Sequence, residues 1–113
     1  MAEIDVTQLF YEANGSPMMA GTGGKKAGTL RYFACQALFM NPKQETLDYE
    51  EGDRREELRK KIAKEDRPDL LDADLKLIGD LITAMYNVPG IFVPAIKMIN
   101  KAIESGGVNT SNS

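Results

Sequence analysis

Hydrophobic and polar positions divide the chain into stretches of different periodicity. The run "LRYFACQALFM", residues 30–40, is apolar nearly all round, with only Arg31 and Gln36 interrupting it. A helix with that pattern sits centrally in a fold rather than on its surface. Thr29 precedes it and is a good N-cap, because its hydroxyl accepts from a free backbone N–H of the first turn. Asn41-Pro42 ends it, since proline disfavours a helical residue before it. Residues 43–66 change character, and "LDYEEGDRREELRKKIAKED" reads as a charged helix with Leu58 and Ile62 as a narrow apolar edge. Glu50 and Arg54, Glu51 and Arg55, Glu56 and Lys60, and Glu57 and Lys61 stand four apart with glutamate first, the favourable order on a helix. Gly52 interrupts the run, so the helix is predicted to begin at Asp53 and to end before Arg67-Pro68. In "ADLKLIGDLITAMY", Leu71, Leu75, Ile78, Ile82 and Met85 recur every three or four residues, and Asp72 is the candidate cap. After the turn residues "NVPG" at 87–90, Phe92, Ile96, Ile99 and Ile103 form the seam of a last helix. Pro94 suits that helix's first turn, and Ser105-Gly106-Gly107 is expected to stop it.

These signals predict a mainly α protein, a compact bundle of about four helices over 30–40, 53–65, 73–86 and 92–104. The expected core is Leu30, Phe33, Ala34, Ala37, Leu38, Leu58, Ile62, Leu75, Ile78, Ile82, Met85, Phe92, Ile96, Ile99 and Ile103. In the first 20 residues, Asn14-Gly15 favours a type I′ turn and so admits a short β-hairpin. Leu9, Phe10 and Tyr11 would form its first arm, and Pro17 weakens the second. "GTGGKKAGT" at 21–29 resembles a phosphate cradle in composition, but a P-loop needs glycine five positions before Gly24, where Met19 stands. The dinucleotide pattern needs a third glycine at Lys26. The glycine loop at 21–28 is therefore read as a mobile connector within one helical domain, residues 1–105. Residues 106–113 read as a polar tail with no packing to order it.

The chain has 113 residues, 42% of them hydrophobic and 27% charged, with a net charge of −3. One domain with a small core fits that size. An acidic total attracts neither nucleic acid nor anionic lipid. There is no histidine, which removes the commonest general base and metal ligand. A single cysteine, Cys35, forms no internal disulfide and no zinc cluster, and in an apolar helix it behaves as a small hydrophobe. No metal site, cofactor or catalytic group is expected. The N-terminus lacks the basic flank of a signal peptide and no run of 18 apolar residues occurs, so a cytoplasmic, non-membrane protein is expected.

The cluster "RREELRKK" invites a nucleic-acid reading, but residues 50–64 hold six basic and five acidic side chains. Phosphate binding needs uncompensated cations, and no aromatic platform accompanies them, which argues against it. Asp69, Asp72 and Asp74 lie at a helix start, where acids suit the helix dipole. What remains is protein binding. Met18 and Met19 beside the glycine loop are adaptable contact residues, and Lys25 and Lys26 could meet an acidic surface. Arg54, Arg55 and Arg59 offer a second candidate face.

Taken in order, "ANGSP", "TLRYFACQAL", "REELRKKI", "LLDADLKLIGDLITAMY" and "VPGIFVPAIKMINKA" resemble small accessory proteins of tailed bacteriophages over roughly residues 5–103. The resemblance implies a tail-assembly chaperone or assembly factor, or an inhibitor of a host enzyme, acting in the host cytoplasm. It carries no catalytic signature and implies no site residues. A small nucleic-acid-binding regulator is the remaining alternative.

Overall fold

The computed structural model describes residues 1–111. It is a mainly α bundle of four helices: α1 (Leu30–Met40), α2 (Tyr49–Lys64), α3 (Asp72–Met85) and α4 (Pro89–Ser111). Two small antiparallel ladders accompany them. β1 (Ala2–Glu3) pairs with β4 (Asp69–Leu70), and β2 (Met19–Ala20) pairs with β3 (Lys26–Ala27). α1 packs on both α2 and α3, and α3 packs on α4. Cross-links set the directions. The Cys35 thiol lies near the Arg59 carbonyl, and the Arg31 guanidinium donates to the carbonyl of Ile62, so α1 and α2 run antiparallel. Arg54 reaches Asp74 at 3.0 Å, which puts the starts of α2 and α3 at one end of the bundle.

α1 forms as its pattern dictates. The Thr29 hydroxyl accepts from the Tyr32 N–H at 3.2 Å, and Asn41 closes the helix in the left-handed conformation. The predicted core residues of α1, α2 and α3 are buried, apart from half-buried Met85. In α4, Ile99 is buried, while Phe92, Ile96 and Ile103 are half-buried. Ala95 and Ala102 complete the α4 seam, because alanine lets this helix approach closely. Ala2, Ile4, Val6, Phe10, Leu70 and Leu81 join the core as well.

Several boundaries differ from the sequence expectation, each for a local reason. α2 begins at Tyr49, because the Asp48 carboxylate caps it by accepting from the Glu51 N–H at 2.8 Å. Gly52 is accommodated inside that helix. Asp72 is not the cap of α3. Leu71 occupies that position without a side-chain bond, and it is exposed rather than part of the buried stripe. α4 begins at Pro89, the first-turn site where a missing N–H costs little. Pro94 therefore falls inside the helix. α4 also continues past Ser105-Gly106-Gly107 to Ser111. A Cβ on Gly106 would stand 3.2 Å from the Cβ of Ala2, so this glycine permits close packing against the N-terminal strand rather than ending the helix. The end of the expected polar tail, residues 112–113, lies outside the described residues.

Among the described residues Arg55 is the buried charge, 5% exposed. Arg55, Leu58 and Ile62 stand on one face of α2, and the guanidinium donates to Glu51 at 2.8 Å and to Glu45 at 3.0 Å. Glu45 lies in the connection between α1 and α2, where Asn41 and Gln44 both hold positive φ. The bonds from Arg55, then Arg54, hold the Glu51 carboxyl below the usual value of 4.5. A depressed folded pKa contributes stability above the unfolded value, and that contribution is lost as pH falls through the folded value. Glu51→Gln is therefore expected to lower the melting temperature at neutral pH. It should also flatten the acid limb of a melting-temperature profile, measured by circular dichroism. An acid limb as steep in the variant as in the parent would show that Glu51 is not linked to folding.

Candidate protein-docking site

Residues 8–29 build a compact β-rich lobe on the start of α1, while residues 2–6 run along the segment before α3. Residues 9–11 run out to a turn and return through 17–18. Glu12 N–H donates to the Ser16 carbonyl at 2.8 Å and Gly15 N–H to the Glu12 carbonyl at 2.9 Å. Gly15 has a φ of 89°, whereas Asn14 is not left-handed. The hairpin thus forms, but with a three-residue loop and Gly15 in the bulge position instead of a type I′ turn. Pro17 is tolerated because it makes only an isolated bridge with Tyr11.

The glycine-rich stretch is a second hairpin, not the connector expected from composition. β2 and β3 pair Met19 with Ala27 and Ala20 with Lys26. A single 3-10 turn, Thr22–Gly24, joins them, with φ of 81° at Gly21, 74° at Gly23 and 64° at Gly24. Three left-handed positions so close together require glycine. The base of the hairpin is tied in a ring of backbone bonds. Phe10 N–H donates to Gly28 at 2.9 Å, Gly28 N–H to Met18 at 2.7 Å, and Met18 N–H to Phe10 at 2.8 Å. A Cβ at Gly28 would meet the Met18 carbonyl at 3.0 Å, so the ring leaves little room for a side chain there. Beneath it, Phe10 stacks edge-on against Phe33 at 4.8 Å, and Phe33 against Tyr86 at 4.9 Å. Burial, followed by the nearby Tyr32, pushes the Tyr86 hydroxyl up to about 12.

This hairpin brings four of the sequence-predicted residues together. Met18 is half-buried and packed against the core, so it anchors the hairpin rather than facing a partner. Met19 is 51% exposed, and Lys25 and Lys26 are exposed. Neither lysine makes an ion pair among the described residues. The three arginines on α2 are placed elsewhere and are engaged. Arg54 bonds to Glu51 and Asp74, Arg55 is buried, and Arg59 bonds to Glu56 while lying 5.4 Å over the Phe39 ring. Of the expected glutamate-first pairs, Glu51–Arg55 forms. Glu56 turns to Arg59, Glu57 to Lys60 and Lys61 to the Asp69 carbonyl.

Protein-family models, curated proteins and solved structures give no match to this chain.

Beside the hairpin, Lys26, Thr29, Arg31, Tyr32, Cys35 and Gln36 line an open cleft of about 320 Å³. Arg31 is occupied there, donating to Ile62, Glu65 and Asp66. Burial pushes the Cys35 thiol up, against the pull of Arg59 and Arg31, which keeps it protonated and a poor nucleophile. Among the described residues no three histidine, cysteine, aspartate or glutamate side chains gather as a metal site, and no helix is long and apolar enough to cross a membrane.

Two exposed apolar residues, Tyr49 and the Leu71 expected in the α3 stripe, lie at the far end of the bundle. Tyr49 starts α2 with 86% of its surface exposed, and Leu71 precedes α3 at 54%. Each stands at or just before the start of a helix, and Leu71, although spaced with the α3 stripe, occupies the cap position and so falls outside the buried face.

Proposed function

We propose that this chain is a non-enzymatic accessory protein that acts by binding another protein, as a tail-assembly chaperone or assembly factor of a tailed bacteriophage. The observation that carries the binding reading is the β2–β3 hairpin, which presents Met19, Lys25 and Lys26 together on a base fixed by backbone bonds and aromatic packing. A pre-formed contact element loses little conformational freedom on association. Exposed methionine and lysine side chains on one small hairpin suit a partner that carries both apolar and acidic groups. The phage assignment rests on the sequence resemblance, and it places the protein in the host cytoplasm. The engagement of Arg54, Arg55 and Arg59 with carboxylates, an aromatic ring or the protein interior weighs against a phosphate backbone as ligand.

Affinity capture from infected and uninfected host cells, followed by mass spectrometry, tests this reading. A chaperone captures an aggregation-prone tail protein and keeps it soluble. An inhibitor captures one host enzyme and lowers its activity. Met19→Glu is expected to reduce capture by about tenfold or more, the effect of a charge placed at an interface centre. The melting curve should be unchanged because Met19 is exposed. Met18→Glu is unsuitable, since Met18 packs on the core. Full capture by the Met19 variant would move the site off the hairpin. A nucleic-acid partner, or small-molecule turnover without any protein partner, would overturn the proposal.

A further inference from the structure

The two ends of the bundle carry opposite charge, and each carries exposed apolar groups. The β2–β3 hairpin leads directly into the start of α1, and Lys26 shares a cleft with Ala63 near the end of α2. Lys25 and Lys26 have no ion-pair partner among the described residues, and Lys64 and Glu65 beside them offset one another. This is the basic end, with Met19 exposed on it.

The opposite end is built from the starts of α2 and α3, joined by the Arg54–Asp74 pair. α2 has 16 residues, so the ends are separated by about 24 Å at about 1.5 Å per residue. Here Glu50, Asp53 and Asp72 are exposed carboxylates that make no ion pair among the described residues. Of the cations nearby, Arg54 and Arg55 are neutralised by Glu51, Asp74 and Glu45, and the exposed Lys43 and Lys76 offset only part of the charge of Asp48, Glu50, Asp53 and Asp72, so this end keeps an acidic balance. Tyr49 and Leu71 stand exposed among these acids. The two ends are therefore complementary in kind: two free lysines and a methionine on one, three free carboxylates with a tyrosine and a leucine on the other.

We infer that the chain associates with a second copy of itself head to tail, the β2–β3 hairpin of one copy docking on the Tyr49–Leu71 end of the next. Unlike surfaces meeting in this way form a heterologous contact, which propagates into a ring or an open filament. Complementary charge orients the approach, and apolar side chains supply contact once the ends meet. The inference needs only the two described surfaces and does not depend on any foreign partner of the hairpin. Self-association would cover the hairpin until such a partner displaced the neighbouring copy.

Sedimentation of the purified full chain tests it without any other protein. At about 0.01 M salt, where the screening length is about 30 Å, the weight-average mass should exceed the 12.5 kDa of one chain and rise with concentration. At about 1 M salt, with a screening length of about 3 Å, it should return to one chain. Lys25→Glu with Lys26→Glu, and separately Glu50→Lys with Asp53→Lys, should each abolish the rise while leaving the melting curve in place. An equal mixture of the two variants re-creates opposite charge at every contact and should restore it. A mass of one chain at low salt and high concentration would overturn the inference. So would association that ignores salt and both variants, or a mixture that stays monomeric.

Discussion

Ile78→Asp is expected to abolish the cooperative thermal transition. Ile78 is 3% exposed on α3, the helix that packs on both α1 and α4. Its neighbours along that face, Leu75, Leu81 and Ile82, are fully buried, and Ile96 and Ile99 of α4 close over Gly79 beside it. Among the described residues no buried side-chain nitrogen or oxygen lacks a partner, so this core holds its polar atoms only where they are bonded. An aspartate at 78 breaks that rule, either as an unpaired carboxylate or as a neutral acid forced into apolar packing. The cost is several kcal/mol, against a total stability of about 5–15 kcal/mol for a domain of this kind. Asp80→Asn, on the exposed side of the same helix, should stay within about 0.5 kcal/mol of the parent. Circular dichroism melts of the two variants provide the measurement. A cooperative transition retained by Ile78→Asp would mean that α3 does not occupy the centre of the bundle.

The helices were legible because their signal is local. The three- and four-residue spacing of Leu75, Ile78 and Ile82 is written within one segment, and so is the cap at Thr29. Even the burial of Arg55 was visible in principle, since Arg55, Leu58 and Ile62 share that spacing, but its charge masked the pattern. The β1–β4 ladder was not legible. Ala2 pairs with Leu70, and no short-range feature of either segment specifies a partner so distant in sequence. For the same reason Ile4, Val6 and Phe10 were missed as core residues. The glycine stretch failed differently. Glycine serves mobile linkers and left-handed turn positions equally well, and composition alone does not separate them. At the candidate site, Met18 and Met19 are adjacent and chemically identical. Their opposite fates, anchor and exposed contact, follow from the alternation of a strand pinned by the bond ring at Phe10, Met18 and Gly28.

Phe33→Ala is the variant that should separate that lobe from the bundle. Phe33 is 2% exposed and touches three rings: Phe10 at 4.8 Å, Tyr86 at 4.9 Å and Tyr32 at 5.5 Å. All three contacts are edge-on, the arrangement aromatic pairs favour, worth about 0.5–1.5 kcal/mol each beyond the area they bury. Removing a buried phenylalanine ring typically costs about 3–5 kcal/mol through lost burial and the cavity left behind. Here the ring is also the bridge between Phe10, beneath the hairpin base, and Tyr86 at the end of α3. Its loss should therefore act unevenly. Hydrogen exchange is expected to show the amides of Phe10, Met18 and Gly28 losing protection first, with α3 and α4 retaining theirs up to the lowered global stability. Denaturant unfolding should give a midpoint shift matching about 3–5 kcal/mol. The same variant should lose partner capture even where enough folded protein remains, because the hairpin no longer has a fixed base. Uniform loss of protection across lobe and helices would show instead that the lobe and the bundle unfold as one unit. Unchanged protection at Phe10 and Gly28 would mean that the backbone ring holds the hairpin without its aromatic floor.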